Sequence, residues 1–147
     1  MKFAIGADHA GFTVKEEIKA VIKALGHQVV DEGTTSDQSV DYPDYASKVA
    51  RSVAGGQVDR GVLICGTGIG MSIAANKVDG IRAAVIADEK TAELSRKHND
   101  ANIFCAGARM TPLPRIAESL KVWLQTPFEG GRHQNRVNKI SAIESTP

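Results

Sequence analysis

The chain has 147 residues, of which 42% are hydrophobic and 24% are charged, and its formal net charge is +1. This size and composition predict one soluble globular domain over residues 1–147, and the weak charge argues against nucleic acid as a partner. No apolar stretch reaches the roughly 20 residues that span a bilayer, and the sequence shows neither a signal-peptide pattern nor a disulfide framework. We therefore expect a cytoplasmic protein with no membrane partner.

Short apolar runs alternate with helical patterns along the chain. The first run, at 2–7, is typical of a buried strand, and the apolar spacing within 8–26 predicts a helix that ends at Gly26. Further strands are predicted at 27–33, 60–66, 81–87 and 101–107. Further helices are predicted at about 43–55, 71–78, 88–99, 111–125 and 131–143.

This alternation predicts an α/β fold, namely a three-layer, doubly wound (Rossmann-like) sheet of five parallel strands with a C-terminal helix. Ligands of such sheets bind beyond the carboxyl ends of the strands. The side chains that the sequence places near these ends are Asp8, His9, Tyr42, Cys65 and Arg109. We expect them to contribute to one site.

Three glycines at alternate positions, Gly66, Gly68 and Gly70, follow the third predicted strand and precede a helix. Without side chains in the way, backbone N–H groups can turn toward an anion or toward a developing negative oxygen. A dinucleotide-binding loop is one alternative, because Asp88 stands where its acidic residue is expected, although Met71 replaces the last glycine. A tight turn without a ligand is another alternative, whereas a Walker loop is excluded because its Gly-Lys-Ser/Thr is missing.

The two cysteines occupy different settings. Cys65 directly precedes the glycine loop, close to the start of a helix, a position that favours the thiolate form. A thiolate there acts as a nucleophile or as a base, and the residues alone leave both roles open. Cys105 lies inside the fifth predicted strand, so we expect a structural role for it.

Two further polar pairs have a structural and a functional interpretation. His98 and Asn99 end the fourth predicted helix, where both residue types are also common caps. Arg132 and Arg136 share one helix face, which is either a solvated basic face or a clamp for a small phosphate. The four histidines show no metal-ligand spacing with one another or with cysteine, so no metal site is expected.

Seven stretches together carry a resemblance to a known family. They are "GADHAGF", "DYPDYA", "ICGTGIGMSIAANKV", "GIRAA", "LSRKHNDAN", "GAR" and "EGGRHQNRV", and they extend from residue 6 to about residue 137. In this order they resemble the ribose/galactose isomerase family, and within it the type B ribose-5-phosphate isomerases. The galactose-6-phosphate and allose-6-phosphate isomerases share this family.

The resemblance implies a role for each matching residue. Cys65 matches the base that moves a proton between C2 and C1 of the open sugar, and the amides of Gly66 to Gly70 match the hole for the enediolate oxygen. Thr67 and His98 match the pair that opens the furanose ring. The implied substrate-binding residues are Asp8, His9, Tyr42, Gly66, Gly68, Ile69, Gly70, Asn99, Arg109, Arg132 and Arg136. Among these, His9 and the three arginines match the phosphate clamp.

The resemblance also implies how the chain assembles. Family members act as a homodimer or as a tetramer (a dimer of dimers) with shared active sites, and the C-terminal helix packs at the dimer interface. It implies that His98, Asn99 and Arg109 reach the site from the partner subunit. The implied ligand is a small sugar phosphate, and no metal or organic cofactor is expected.

One position refines the expected subclass. A branch of the family lacks the cysteine and carries a glutamate directly after the last loop glycine, where this chain has Met71. The chain therefore resembles the cysteine-type members, with ribose 5-phosphate as the expected substrate. A hexose 6-phosphate isomerase of the same family and a non-catalytic sugar-phosphate sensor are the alternatives.

Overall fold

A five-stranded parallel sheet organises the computed structural model, which describes residues 1–145; the last two residues of the predicted domain lie outside this range. The strands are β1 (Lys2–Ala7), β2 (Gln28–Asp31), β3 (Arg60–Cys65), β4 (Ala83–Val85) and β5 (Ile103–Gly107), in the order β2-β1-β3-β5-β4. The helices are α1 (Phe12–Ala24), α2 (Tyr42–Ala54), α3 (Ile69–Ala75), α4 (Glu89–Asn99), α5 (Leu113–Gln125) and α6 (Arg132–Glu144). The predicted fold class is confirmed.

Each face of the sheet carries its own apolar core. On one face Phe3, Ile64 and Phe104 pack with α1 and α5, and all three side chains are fully buried. On the other face Leu63 and Cys105 pack with α2 and α3. Because successive strand residues point to opposite faces and helices cover both, the strands read as continuous apolar runs. Within residues 1–145 no helix is long and apolar enough to cross a membrane.

The predicted elements all form, but three helices begin two or more residues away from their predicted starts: α1, α3 and α5, the last at Leu113 rather than at residue 111. Helix α1 begins at Phe12 rather than at residue 8, because the Asp8 carboxylate and carbonyl both accept the Gly11 N–H and hold 8–11 in a turn. Helix α3 begins at Ile69 rather than at residue 71, since Gly68 supplies a left-handed turn (φ 78°) directly before it. The last loop glycine, Gly70, is therefore already helical.

A buried ion pair fixes the segment that supports the end of β1. Lys15 is fully buried on α1, and its Nζ donates to Asp31 Oδ1 at the end of β2 over 2.7 Å. The same carboxylate accepts the Gly33 N–H, and the Gly33 carbonyl accepts the N–H of Ala7, the last residue of β1. Burial raises the pKa of Asp31, but the hydrogen bonds from Lys15, Lys19 and Gly33 outweigh it and hold the pKa below its ordinary value.

We predict that Asp31→Ala lowers the free energy of unfolding by about 3 kcal/mol, because it leaves the Lys15 ammonium buried with only Glu16 as a partner. Lys15→Met should cost less, about 1 kcal/mol, since the carboxylates that it leaves behind reach solvent. Urea denaturation at neutral pH measures both. Because the folded-state pKa of Asp31 is lowered, its contribution should be present above pH ~4 and be lost as pH falls further. Equal stability of wild type and Asp31→Ala at neutral pH would contradict this account.

Candidate active site

The cysteine predicted as reactive lies at the carboxyl edge of the sheet. Cys65 ends β3, paired in register with Gly107 of β5, and its side chain is almost fully buried. The Gly68 N–H donates to Cys65 Sγ over 3.1 Å. This contact ties the sulfur to the loop that follows it.

The loop after Cys65 lies directly on β5. A Cβ at Gly107 would stand 2.7 Å from the Thr67 backbone, and one at Gly68 would stand 3.0 Å from the Ala106 carbonyl carbon. Both glycines are therefore required by close backbone contact. The Thr67 hydroxyl oxygen accepts the Ile69 N–H at 3.2 Å, which fixes that side chain within the loop.

Asp8 and His9 extend this edge from the end of β1. Asp8 is buried, its N–H donates to the Ile64 carbonyl, and its carboxylate accepts the Gly11 N–H. His9 Nδ1 accepts the Val40 N–H at 3.2 Å, so a neutral ring carries its proton on Nε2. That nitrogen is then a donor suited to a phosphate or a hydroxyl.

Two more predicted residues pack against the loop glycines. The Tyr42 ring covers Gly70, where a Cβ would stand 2.7 Å from the phenol ring. The Arg109 guanidinium lies over Gly66, 3.4 Å from the position of an added Cβ. We call the residues gathered here the cysteine group: Asp8, His9, Tyr42, Cys65, the loop 66–70 and Arg109.

The other predicted residues lie at the opposite edge of the sheet. Helix α4 ends at Asn99, shortly before β5 begins at Ile103, and Ile103 pairs with Gly61 near the start of β3. From that pair to Cys65 the strand extends roughly 13 Å. We call the residues at this edge the histidine group: His98, Asn99, Arg132 and Arg136. One chain therefore does not bring the two groups together.

Arg109 lies at the carboxyl edge of the sheet, as the strand order of the sequence predicts. The Arg109 N–H donates to the Gly66 carbonyl over 3.0 Å in the turn after β5. That turn begins at Gly107, beside Cys65. Arg109 therefore belongs to the cysteine group of its own chain.

His133 is a member of the histidine edge that sequence reasoning missed. Its ring stacks on His98 with centroids 4.3 Å apart and planes 13° apart, and its side chain is buried. Burial lowers the pKa of His133, and the positive charges of Arg132 and Arg136 lower it further. Because His98 and His133 belong to separate helices, no local spacing in the sequence signals this contact.

The second cysteine behaves as a core residue. Cys105 is fully buried in β5, and burial raises the pKa of its thiol well above the ordinary value. This agrees with the structural role expected for it.

Two cavities adjoin these groups. One of about 220 Å³ lies beside the loop and is lined mostly by apolar atoms, with Thr67, Ile69 and Met110 among its residues. The other, of about 530 Å³, lies between α3, the start of β4 and α6, and includes Asn99, Ile140 and Ile143. Cys65 lines neither of them.

Comparison with known proteins covers nearly the whole chain. The family model described as Ribose/Galactose Isomerase matches residues 3–140. The chain belongs to the ribose/galactose isomerase family. It is 52% identical to ribose-5-phosphate isomerase B of Escherichia coli strain K12 over 97% of this chain and 96% of that one. It is 43% identical to ribose-5-P isomerase B of Listeria innocua over 98% and 97% of the two chains.

Solved structures agree with the fold of this isomerase. Ribose-5-phosphate isomerase B of Clostridium thermocellum superposes with a TM-score of 0.98 at 51% identity, covering 99% of this chain and 98% of that one. The Mycoplasma genitalium enzyme, solved with bound ribulose-5-phosphate, gives a TM-score of 0.95 at 41% identity, covering 99% and 97%.

We predict that Gly107→Ala reduces the isomerase activity at least tenfold, because the added methyl group displaces the Thr67 backbone and with it the Gly68 N–H on Cys65. The control is Gly56→Ala, which strains a positive φ of 68° but places the added Cβ where no atom lies within 4 Å. Both changes should cost about 1–3 kcal/mol of stability. Steady-state kinetics with thermal unfolding separates the effects, and equal activity of the two variants would contradict this role of the loop contact.

Proposed function

We propose that this protein interconverts D-ribose 5-phosphate and D-ribulose 5-phosphate. The observation that carries the proposal is a cysteine whose sulfur accepts a loop N–H at the mouth of a glycine loop, where a base and an oxyanion site adjoin. Relatives at 52% and 51% identity over nearly the full chain that are named ribose-5-phosphate isomerase B support the choice of a pentose phosphate.

Ring opening is the first proposed step. His98 donates a proton to the ring oxygen as the bond between that oxygen and C1 breaks. The Thr67 hydroxyl accepts a hydrogen bond from the C1 hydroxyl, whose proton passes to water as the C1 carbonyl forms, and the His98 ring regains a proton from water. The step yields the open-chain aldehyde, in which the proton on C2 is acidic enough to be removed.

Isomerisation is the second proposed step. The Cys65 thiolate takes the proton from C2, and the electron pair moves onto the C1 oxygen as an enediolate forms. N–H groups of the loop 66–70 stabilise that oxygen, and one such donor is worth about 3 kcal/mol. The O2 proton moves to O1 as the C2 carbonyl forms, and Cys65 returns its proton to C1. Cys65 thus carries the carbon-bound proton, and the O2 proton moves within the enediolate.

Phosphate binding orients the reacting carbons. The proposed phosphate clamp has four members. His9 contributes its Nε2–H, since its Nδ1 already accepts the Val40 N–H, and Arg109, Arg132 and Arg136 contribute their guanidinium groups. Forked guanidinium groups match phosphate geometry, and binding energy at the phosphate positions C1 and C2 relative to Cys65. Asp8, Tyr42 and Asn99 are the proposed partners of the sugar hydroxyls.

We propose further that two copies of the chain share each site. The cysteine group and the histidine group lie at opposite edges of one sheet, so a complete site needs the histidine group of a second copy. Exposed apolar side chains flank both groups: Ile69, Ile73 and Met110 beside the loop, and Ile143 on α6. Apolar surface of this kind is typical of a face that a partner covers.

We predict that Cys65→Ala lowers kcat/KM for ribose 5-phosphate by at least about 10²-fold, since the base is removed. Cys105→Ala, which changes the buried neighbour, should keep near-wild-type activity. A coupled assay that detects ribulose 5-phosphate, run with EDTA, measures both. Retained activity in Cys65→Ala excludes this base, while wild-type turnover only of allose or galactose 6-phosphate would favour the hexose alternative.

The proposal that two copies share each site leads to a second prediction. Cys65→Ala and His98→Asn should each be inactive alone, but co-refolded mixtures should recover roughly one quarter of wild-type activity, because half of the dimers are mixed and each mixed dimer has one intact site. Native mass spectrometry verifies that mixed dimers form. Mixed dimers without activity would show that Cys65 and His98 act within one chain.

A further inference from the structure

Three side chains with metal-binding atoms converge at the histidine edge of the sheet. His98 ends α4, His133 lies in the first turn of α6, and Glu129 precedes that helix. One ligand atom from each residue lies within 4.8 Å of the other two. We call these residues the imidazole–carboxylate cluster. Glu129 and His133 have no assigned part in the proposed reaction.

The backbone holds the three side chains close together. The Glu129 N–H donates to the Lys97 carbonyl over 3.2 Å, which ties the segment before α6 to the end of α4. The His133 N–H donates to the Gly130 carbonyl over 3.0 Å, and Nε2 of its ring stands 3.6 Å from Glu129 Oε2. The backbone therefore keeps the three residues adjacent before any ligand arrives.

The donor set selects one class of ligand. Two imidazole nitrogens and one carboxylate oxygen are a common three-residue set for zinc, with a fourth position left to water. Burial favours the neutral, ligating form of the His133 ring, as its lowered pKa indicates. The rings are stacked, so one of them must rotate for both lone pairs to reach one metal ion, and His98 is the less buried of the two.

The surrounding charges argue against hard cations. Arg132 and Arg136 act on His133 as positive charges, and Lys97 Nζ stands 3.9 Å from the Glu129 carboxylate. A cation bound mainly by charge, such as Mg²⁺ or Ca²⁺, gains little here, and both prefer oxygen ligands. Zn²⁺ and its neighbours in the transition series bind imidazole strongly enough to offset this repulsion.

We propose that the imidazole–carboxylate cluster is an inhibitory site for Zn²⁺ and similar divalent transition metals. A metal on His98 occupies the nitrogen that would carry the proton for ring opening, so the metal-bound chain cannot open the furanose ring. The inhibitory part rests on the proposed function, whereas metal binding itself does not.

Metal binding is tested in the full chain carrying Cys65→Ser, so that the site thiol does not bind the metal. After EDTA treatment and its removal, Zn²⁺ is titrated by calorimetry and Co²⁺ by its visible absorption. We expect one metal per chain, and at least tenfold weaker binding when Glu129→Gln or His133→Gln is added. His27→Gln, a histidine change directly before β2, is the matched control and should leave binding unchanged. No saturable binding, or binding that neither variant weakens, overturns the proposal.

Inhibition is tested with the wild-type cysteine in place. Zn²⁺ should inhibit the wild type and EDTA should restore activity, while Glu129→Gln should match the wild type in EDTA and need at least tenfold more Zn²⁺ for the same inhibition. Equal inhibition of wild type and Glu129→Gln would place the inhibitory metal elsewhere and overturn the inhibitory part of the proposal. A chain that binds Zn²⁺ as expected but never turns over ribose 5-phosphate would instead refute the proposed function alone.

Discussion

Direct backbone contact between the glycine loop and β5 is the constraint on which the candidate site depends. With no side chain at Gly107, the Thr67 backbone lies against the strand, and the Gly68 N–H points at Cys65 Sγ. Protein interiors accommodate even one added methyl group poorly, so this contact fixes the loop within narrow limits. The position of the sulfur, of the threonine hydroxyl and of the covering Arg109 all follow from it.

Most of the fold and half of the site follow from sequence pattern. Apolar runs that alternate with helical spacing define a parallel sheet, and parallel strands place Asp8 and Cys65 at one edge without further information. The predictions that were wrong concern where individual helices begin. Helix α1 begins after the turn that Asp8 and Gly11 close, and α3 begins inside the glycine loop, because local hydrogen bonds and one left-handed glycine decide these boundaries.

The rest of the candidate site is formed by contacts between residues far apart in the chain, which sequence patterns do not reveal. His133 meets His98 through the packing of α6 on α4, a contact between residues far apart in the chain, and Glu129 joins them through a backbone bond to Lys97. Arg109 is held over the loop by a hydrogen bond from its N–H to the Gly66 carbonyl. Spacing rules describe one helix or one loop at a time, so they carry no information on such contacts.

The packing of Tyr42 on Gly70 bears on how this scaffold can diversify. The loop positions that contact β5 leave no space for an added side chain, so substitutions there displace the loop rather than reshape it. The Tyr42 ring, by contrast, is 40% exposed and covers the far end of the loop from the first turn of α2. Evolution or design that seeks room for a longer sugar would therefore find tolerated changes at residue 42, while the glycines persist across substrates of different size.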